Sequence, residues 1–146
     1  MMVINVCRGI LDYSPQVSAL TRELGYGANE CQTKDWLGYL INSNAHAVFV
    51  ALNNDQTVCG WVVVEKRMSL ETGFKAEITG LIVGEKYRHC GVGQALVSAA
   101  LGWAKELHLA KMVVRSNVQR PESHGFYKHF GFDLTKTAHH YELSIS

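Results

Sequence analysis

Leu81-Ile82-Val83-Gly84-Glu85-Lys86-Tyr87-Arg88-His89-Cys90-Gly91-Val92-Gly93-Gln94-Ala95-Leu96 runs from a β-branched stretch, through a polar loop, to two glycines and an apolar helix start. The β-branched stretch ends a strand predicted over residues 74–83. After Val92, the residues Ala95, Leu96, Ala99, Ala100, Trp103 and Leu107 recur at helical spacing and form a long apolar stripe. The first turn of a helix carries N–H groups without intrahelical partners and a partial positive charge, and both attract phosphate. Glycine at 91 and 93 lets the backbone approach an anion with no Cβ in the way, and Arg88 offers a charged donor. Two better-known glycine patterns do not fit. Leu96 stands where GxGxxG needs its third glycine, and Gln94 stands where GxxxxGK[ST] needs its lysine. On the two glycines alone, a tight turn before a helix reads equally well.

Outward from this segment the period of the apolar residues sets the order of elements. Towards the N-terminus, Ala47 to Leu52 and Val58 to Val64 are rich in β-branched and aromatic residues, and Asn53-Asn54-Asp55 between them is turn chemistry, so the pair reads as a hairpin. Before it, Ser14-Pro15 reads as an N-cap and first helical residue, with Val17, Leu20 and Leu24 at helical spacing and Gly25 as the stop. A second helix is predicted over residues 33–41 with Trp36, Leu37, Leu40 and Ile41 on one face, and a first strand over residues 3–6. Towards the C-terminus the pattern predicts a short strand over 111–115 and a helix over 121–130 ended by Gly131. Closing strands are expected over 132–134 and 141–145. No linker or repeat divides the chain, so residues 1–146 read as one α/β (α+β) domain around a central, mixed, mostly antiparallel sheet flanked by helices.

The 146 residues suffice for one domain with a real core, and 47% hydrophobic with 18% charged residues is ordinary for a globular chain. A net charge of +1 provides no global field towards nucleic acid or an anionic membrane, so neither is expected as a partner. Cys7, Cys31, Cys59 and Cys90 are far apart and form no CxxC pair, which argues against a zinc or redox centre and for reduced thiols. The apolar run at the N-terminus is too short for a signal peptide, and no segment approaches the ~20 apolar residues of a membrane span. A cytoplasmic location is expected. The oligomeric state stays open, a homodimer included.

Arg88 to Gly93, placed after a long strand and opening a helix, resembles the signature of the GCN5-related N-acetyltransferase (GNAT) family: Gln or Arg, two residues, Gly, one residue, Gly or Ala. The resemblance extends over essentially the whole chain, including Phe126-Tyr127 and Phe130-Gly131-Phe132, which look like the family's aromatic-tyrosine helix ending in Gly-Phe. It implies a GNAT-like fold and acetyl-CoA as the acyl donor. It also implies that the loop amides of Arg88, His89, Cys90, Gly91, Val92, Gly93, Gln94 and Ala95 hold the pyrophosphate. Leu81, Ile82 and Val83 correspond to the strand end whose backbone pairs with pantetheine, and Asn117 to a polar pantetheine contact.

The same resemblance implies direct transfer to a primary amine, of a small molecule or an exposed protein amine. Tyr127 corresponds to the general acid that protonates the leaving sulfur; by period alone, Phe126, Tyr127 and Phe130 read as the core face of a helix. Glu77 lies at the spacing of the family's general-base glutamate, with a solvent-facing strand residue as the plainer reading. Acceptor recognition is expected near the first helices, with Tyr26 and Glu30 as candidates. The histidines have no metal-ligand spacing, so no metal is expected. The alternative is a non-catalytic acyl-CoA-binding or sensor module of the same fold.

Overall fold

β-branched residues dominate the strands of one five-stranded sheet, in the order β1 (Asn5–Arg8), β2 (His46–Leu52), β3 (Val58–Ser69), β4 (Gly73–Val83) and β5 (Met112–Val114). Neighbours are antiparallel except β4 and β5, which run parallel. The sheet is therefore mixed and mostly antiparallel, as expected. The computed structural model describes residues 2–115 and 121–146, in two compact units, Met1–Arg115 and Ser116–Ser146; Asn117 lies outside the described residues.

In the first unit, α1 (Ser14–Glu23) and α2 (Glu30–Ile41) cover one face of the sheet, and α3 (Val92–Glu106) covers the other. Val17 and Leu20 of α1 pack with Val50, Leu52, Val58 and Ile82, while Leu37 of α2 packs with Val48 and Val63. On the opposite face, Leu96 and Val97 of α3 are fully buried, as are the strand residues Val62 and Val64. Burial of this kind supplies the main drive for folding, at about 1.5–3 kcal/mol per large side chain.

Helix boundaries depart from the sequence reading where capping decides them. Ser14 is the first helical residue of α1, not its cap, because its Oγ donates back to Leu11 O (2.6 Å) in the preceding 3-10 turn. α2 begins at Glu30, earlier than residue 33, because Asn29 and Gln32 close a capping box: Asn29 Oδ1 accepts from Gln32 N (2.8 Å) and Gln32 Oε1 from Asn29 N (3.1 Å). With that start, Thr33, Leu37 and Leu40 turn inward, and Trp36 and Ile41 stay exposed. The first strand begins two residues later than the apolar run suggested. The hairpin turn is as read, with Asn53 Oδ1 accepting from the N–H groups of Asp55 and Thr57.

Two irregularities of β4 position the site. Val63 pairs with Gly80 but Val64 with Ile78, so Thr79 is an extra residue, a β-bulge, at the point where the ladder to β5 ends. A bulge bends and twists its strand. Gly80 is required there, because an added Cβ would stand 2.7 Å from the Trp61 ring that covers it.

In the second unit, α4 (Pro121–Phe130) ends at Gly131, whose φ of +125° suits glycine, and the Gly131 and Phe132 amides donate to Tyr127 O. The expected closing strands do not form: residues 132–146 carry no strand among the described residues. Tyr141, Leu143 and Ile145 keep the alternation of a strand but are almost fully exposed. Alternation reports a preferred backbone, whereas a strand also needs a neighbour for its N–H and C=O groups.

Candidate functional site

The bulge at Thr79 separates two stretches of β4. Before it, Ala76, Glu77 and Ile78 pair with Met112, Val113 and Val114 of β5. After it, Leu81, Ile82 and Val83 pair only on their inner side, with Val62, Trp61 and Gly60 of β3. Among the described residues, the outer edge of that stretch has no strand partner. Its N–H and C=O groups are available to an extended ligand that adds as a strand.

The chain then turns into the glycine loop. Gly84 N donates to Cys59 O (2.8 Å), a 3-10 turn follows over Glu85–Tyr87, and Arg88 is extended. His89 (φ +62°) and Gly91 (φ +85°) are both left-handed, on either side of Cys90. Left-handed residues in such a turn direct successive N–H groups to one side, an arrangement that makes an anion-binding concavity. Gly91 is the N-cap of α3 and no side chain caps the helix there; its first turn also lacks an acidic residue. The intrahelical ladder starts with Ala95 N donating to Gly91 O (3.1 Å), so the amides of Val92, Gly93 and Gln94 have no helical acceptor. Arg88, His89, Cys90, Gly91 and Gln94 are exposed, while Val92 anchors the loop at 1% exposure. The loop thus sets three amides without a helical acceptor at the start of α3, next to the open edge of β4, an arrangement that suits an anion.

Glu77 lies on the same strand, 8% exposed, with Oε1 accepting from Arg67 Nη1 at 2.5 Å. Directly opposite on β3 stands Glu65, whose Oε2 is 3.1 Å from His46 Nε2, and Ser43 Oγ is 2.7 Å from His46 Nδ1. Arg67, Glu65 and His46 carry no local signal in the sequence that marks them as neighbours of Glu77. β3 was expected to stop at Val64, which left Glu65 and Arg67 outside it; in the extended strand the period-two spacing of the pair sets both beside Glu77.

Tyr127 belongs to the second unit, on α4. Its ring meets Phe126 and Phe132 edge-on, with centroids 5.2 and 5.6 Å away. Burial raises the phenol above its usual pKa of 10.0, so it keeps its proton through the neutral range. Tyr26, before α2, and Glu30, its first residue, are exposed, and no hydrogen bond or ion pair ties either to Glu77 or to the glycine loop. Among the described residues no group of His, Cys, Asp and Glu could hold a metal ion, and no helix is long and apolar enough to cross a membrane.

Comparison with known proteins bears on the family and the fold. The profile of the acetyltransferase (GNAT) family matches residues 16–132. An aminoglycoside N(6')-acetyltransferase type 1 of Stenotrophomonas maltophilia is 23% identical over 103 residues, 68% of this chain and 67% of its own. Among solved structures, AAC(6')-Iy in complex with the bisubstrate analog CoA-S-monomethyl-acetylneamine superposes with a TM-score of 0.86 at 16% identity, over 97% of this chain and 99% of the other. AAC(6')-Ih from Acinetobacter baumannii gives 0.85 at 20% identity, over 99% and 100%. A transcriptional regulator from Bacillus halodurans C-125 gives 0.86 at 18% identity, over 97% and 100%. At these identities the structural likeness shows the fold.

Proposed function

The chain belongs to the acetyltransferase (GNAT) family, and from that premise we propose that it transfers the acetyl group of acetyl-CoA to a primary amine of a small molecule by direct attack, working as one functional domain. The observation that carries the proposal is the uncapped start of α3 beside the open edge of β4: one accepts a diphosphate, the other an extended amide-bearing chain, and CoA has both in sequence. The relative from S. maltophilia and the AAC(6') structures act, by their names, on aminoglycosides. Their acceptor class supports an aminosugar amine here ahead of a protein amine.

Each residue then has a task. The amides of the loop from Arg88 to Ala95 hold the pyrophosphate, with the Arg88 guanidinium as a charged donor. The backbone of Leu81 to Val83 aligns the pantetheine arm, and a backbone N–H near Val83 faces the thioester oxygen as negative charge develops there. Glu77 accepts the proton the amine loses, directly or through a water. Tyr127 gives its proton to the departing sulfur, and its raised pKa keeps that proton in place. The exposed Cys90 thiol is held in the phosphate loop, with Sγ 3.4 Å from Arg88 O, and takes no covalent part. The four cysteines are all free, which supports a reducing, cytoplasmic setting.

Donor binding is open to a direct check. A ligand bound only by the folded state stabilises it by about 2.7 kcal/mol at a hundredfold excess over its Kd. Millimolar acetyl-CoA is expected to raise the melting temperature by several degrees, and ATP or NAD at equal concentration by much less. Equal shifts for all three would mean that the loop reads phosphate without reading CoA.

A further inference from the structure

The register sets His46, Glu65 and Glu77 in one row across β2, β3 and β4. Like charges directly opposite on neighbouring strands repel, and among the described residues Glu77 is the one buried charged residue. The row holds together because each carboxylate has a partner. Glu65 has His46, itself held by Ser43. Glu77 has Arg67, which lies one pair further along β3 on the same face and reaches it diagonally. Lys75, directly opposite Arg67, turns to Thr72 Oγ1 instead (3.3 Å), so among the described residues Arg67 is the cation paired with Glu77. The ion pair occupies Oε1, and no other hydrogen bond engages the Glu77 carboxylate among the described residues.

We propose that Arg67 is a positioning residue for Glu77: it fixes one carboxylate oxygen and thereby presents the other, Oε2, as the atom that takes the amine proton. The inference rests on Glu77 being the base. In the step it serves, the amine nitrogen bonds to the acetyl carbon, the carbon–sulfur bond breaks, the nitrogen's proton passes to Oε2 and the sulfur receives the Tyr127 proton. An arginine suits the task because its planar fork holds a carboxylate in one orientation, where a lysine supplies a charge without that constraint.

The test uses the full chain with saturating acetyl-CoA and neamine as the acceptor. Arg67→Met is expected to lower kcat on the order of 10- to 100-fold, the scale of a misplaced reacting group, with KM for acetyl-CoA unchanged. Arg67→Lys should recover part of the loss. In a Glu77→Gln background, Arg67→Met should cost nothing more, because the group it positions is gone. An equal loss in both backgrounds, or no loss in either, overturns the proposal. A Glu77→Gln enzyme as fast as the parent sinks the base assignment itself, and a parent that acetylates neither neamine, sisomicin nor simple polyamines overturns the proposed function on which the inference rests.

Discussion

A Tyr127→Phe enzyme is expected to keep its melting temperature and its affinity for acetyl-CoA while kcat falls by about 10²–10⁴-fold, the range for a lost general acid. The substitution removes one oxygen and leaves the ring, so the edge-on contacts to Phe126 and Phe132 persist. The phenol is suited to the role because burial raises its pKa, which keeps it a donor at neutral pH. A donor whose thiolate leaves without needing a proton should narrow the gap between variant and parent. If Tyr127 served packing alone, turnover would stay near the parent value with both donors. Steady-state kinetics with the two thioesters separates the outcomes.

The second large effect is expected at the glycine loop, where the two glycines are not equivalent. Gly91 is left-handed at φ +85°, so valine there costs about 1–2 kcal/mol of backbone strain before any ligand is considered. Gly93 lies within α3 and is not left-handed, so its backbone accepts an L residue without that strain. Gly93→Val should therefore fold cooperatively while its branched side chain stands over the helix start. Two lost charge-assisted hydrogen bonds, at about 1.5–3 kcal/mol each, correspond to at least a hundredfold weaker binding, ~2.7 kcal/mol. Titration of CoA by calorimetry gives the number. A folded Gly93→Val chain that binds CoA like the parent would place the phosphates elsewhere.

Much of this site was legible because local chemistry announces it. Gly91 and Gly93 between a β-branched run and an apolar stripe are enough to set a strand, a turn and an uncapped helix in order, and the structure has them in that order. The left-handed turn at His89 was not legible, since the enrichment of histidine in that conformation is too small to mark a turn by itself. Nor was the bulge at Thr79: the pattern of β4 alternates through it, and the slip appears only against β3. Arg67 escaped for a related reason, because its importance comes from a diagonal contact between strands. The alternation of Tyr141, Leu143 and Ile145 promised a strand that is absent, because period reports backbone preference and carries no information about a neighbour.

Catalysis of acetyl transfer to a small amine is measured most directly by the release of free CoA thiol. The chain is mixed with acetyl-CoA and a thiol reagent, first alone and then with neamine, sisomicin and simple polyamines, and the amine products are identified by mass. Thiol release that depends on an amine, with a matching N-acetylated product, is the result expected. Saturable binding of acetyl-CoA with no amine-dependent thiol release across the panel would contradict it and leave a donor-binding module of the same fold.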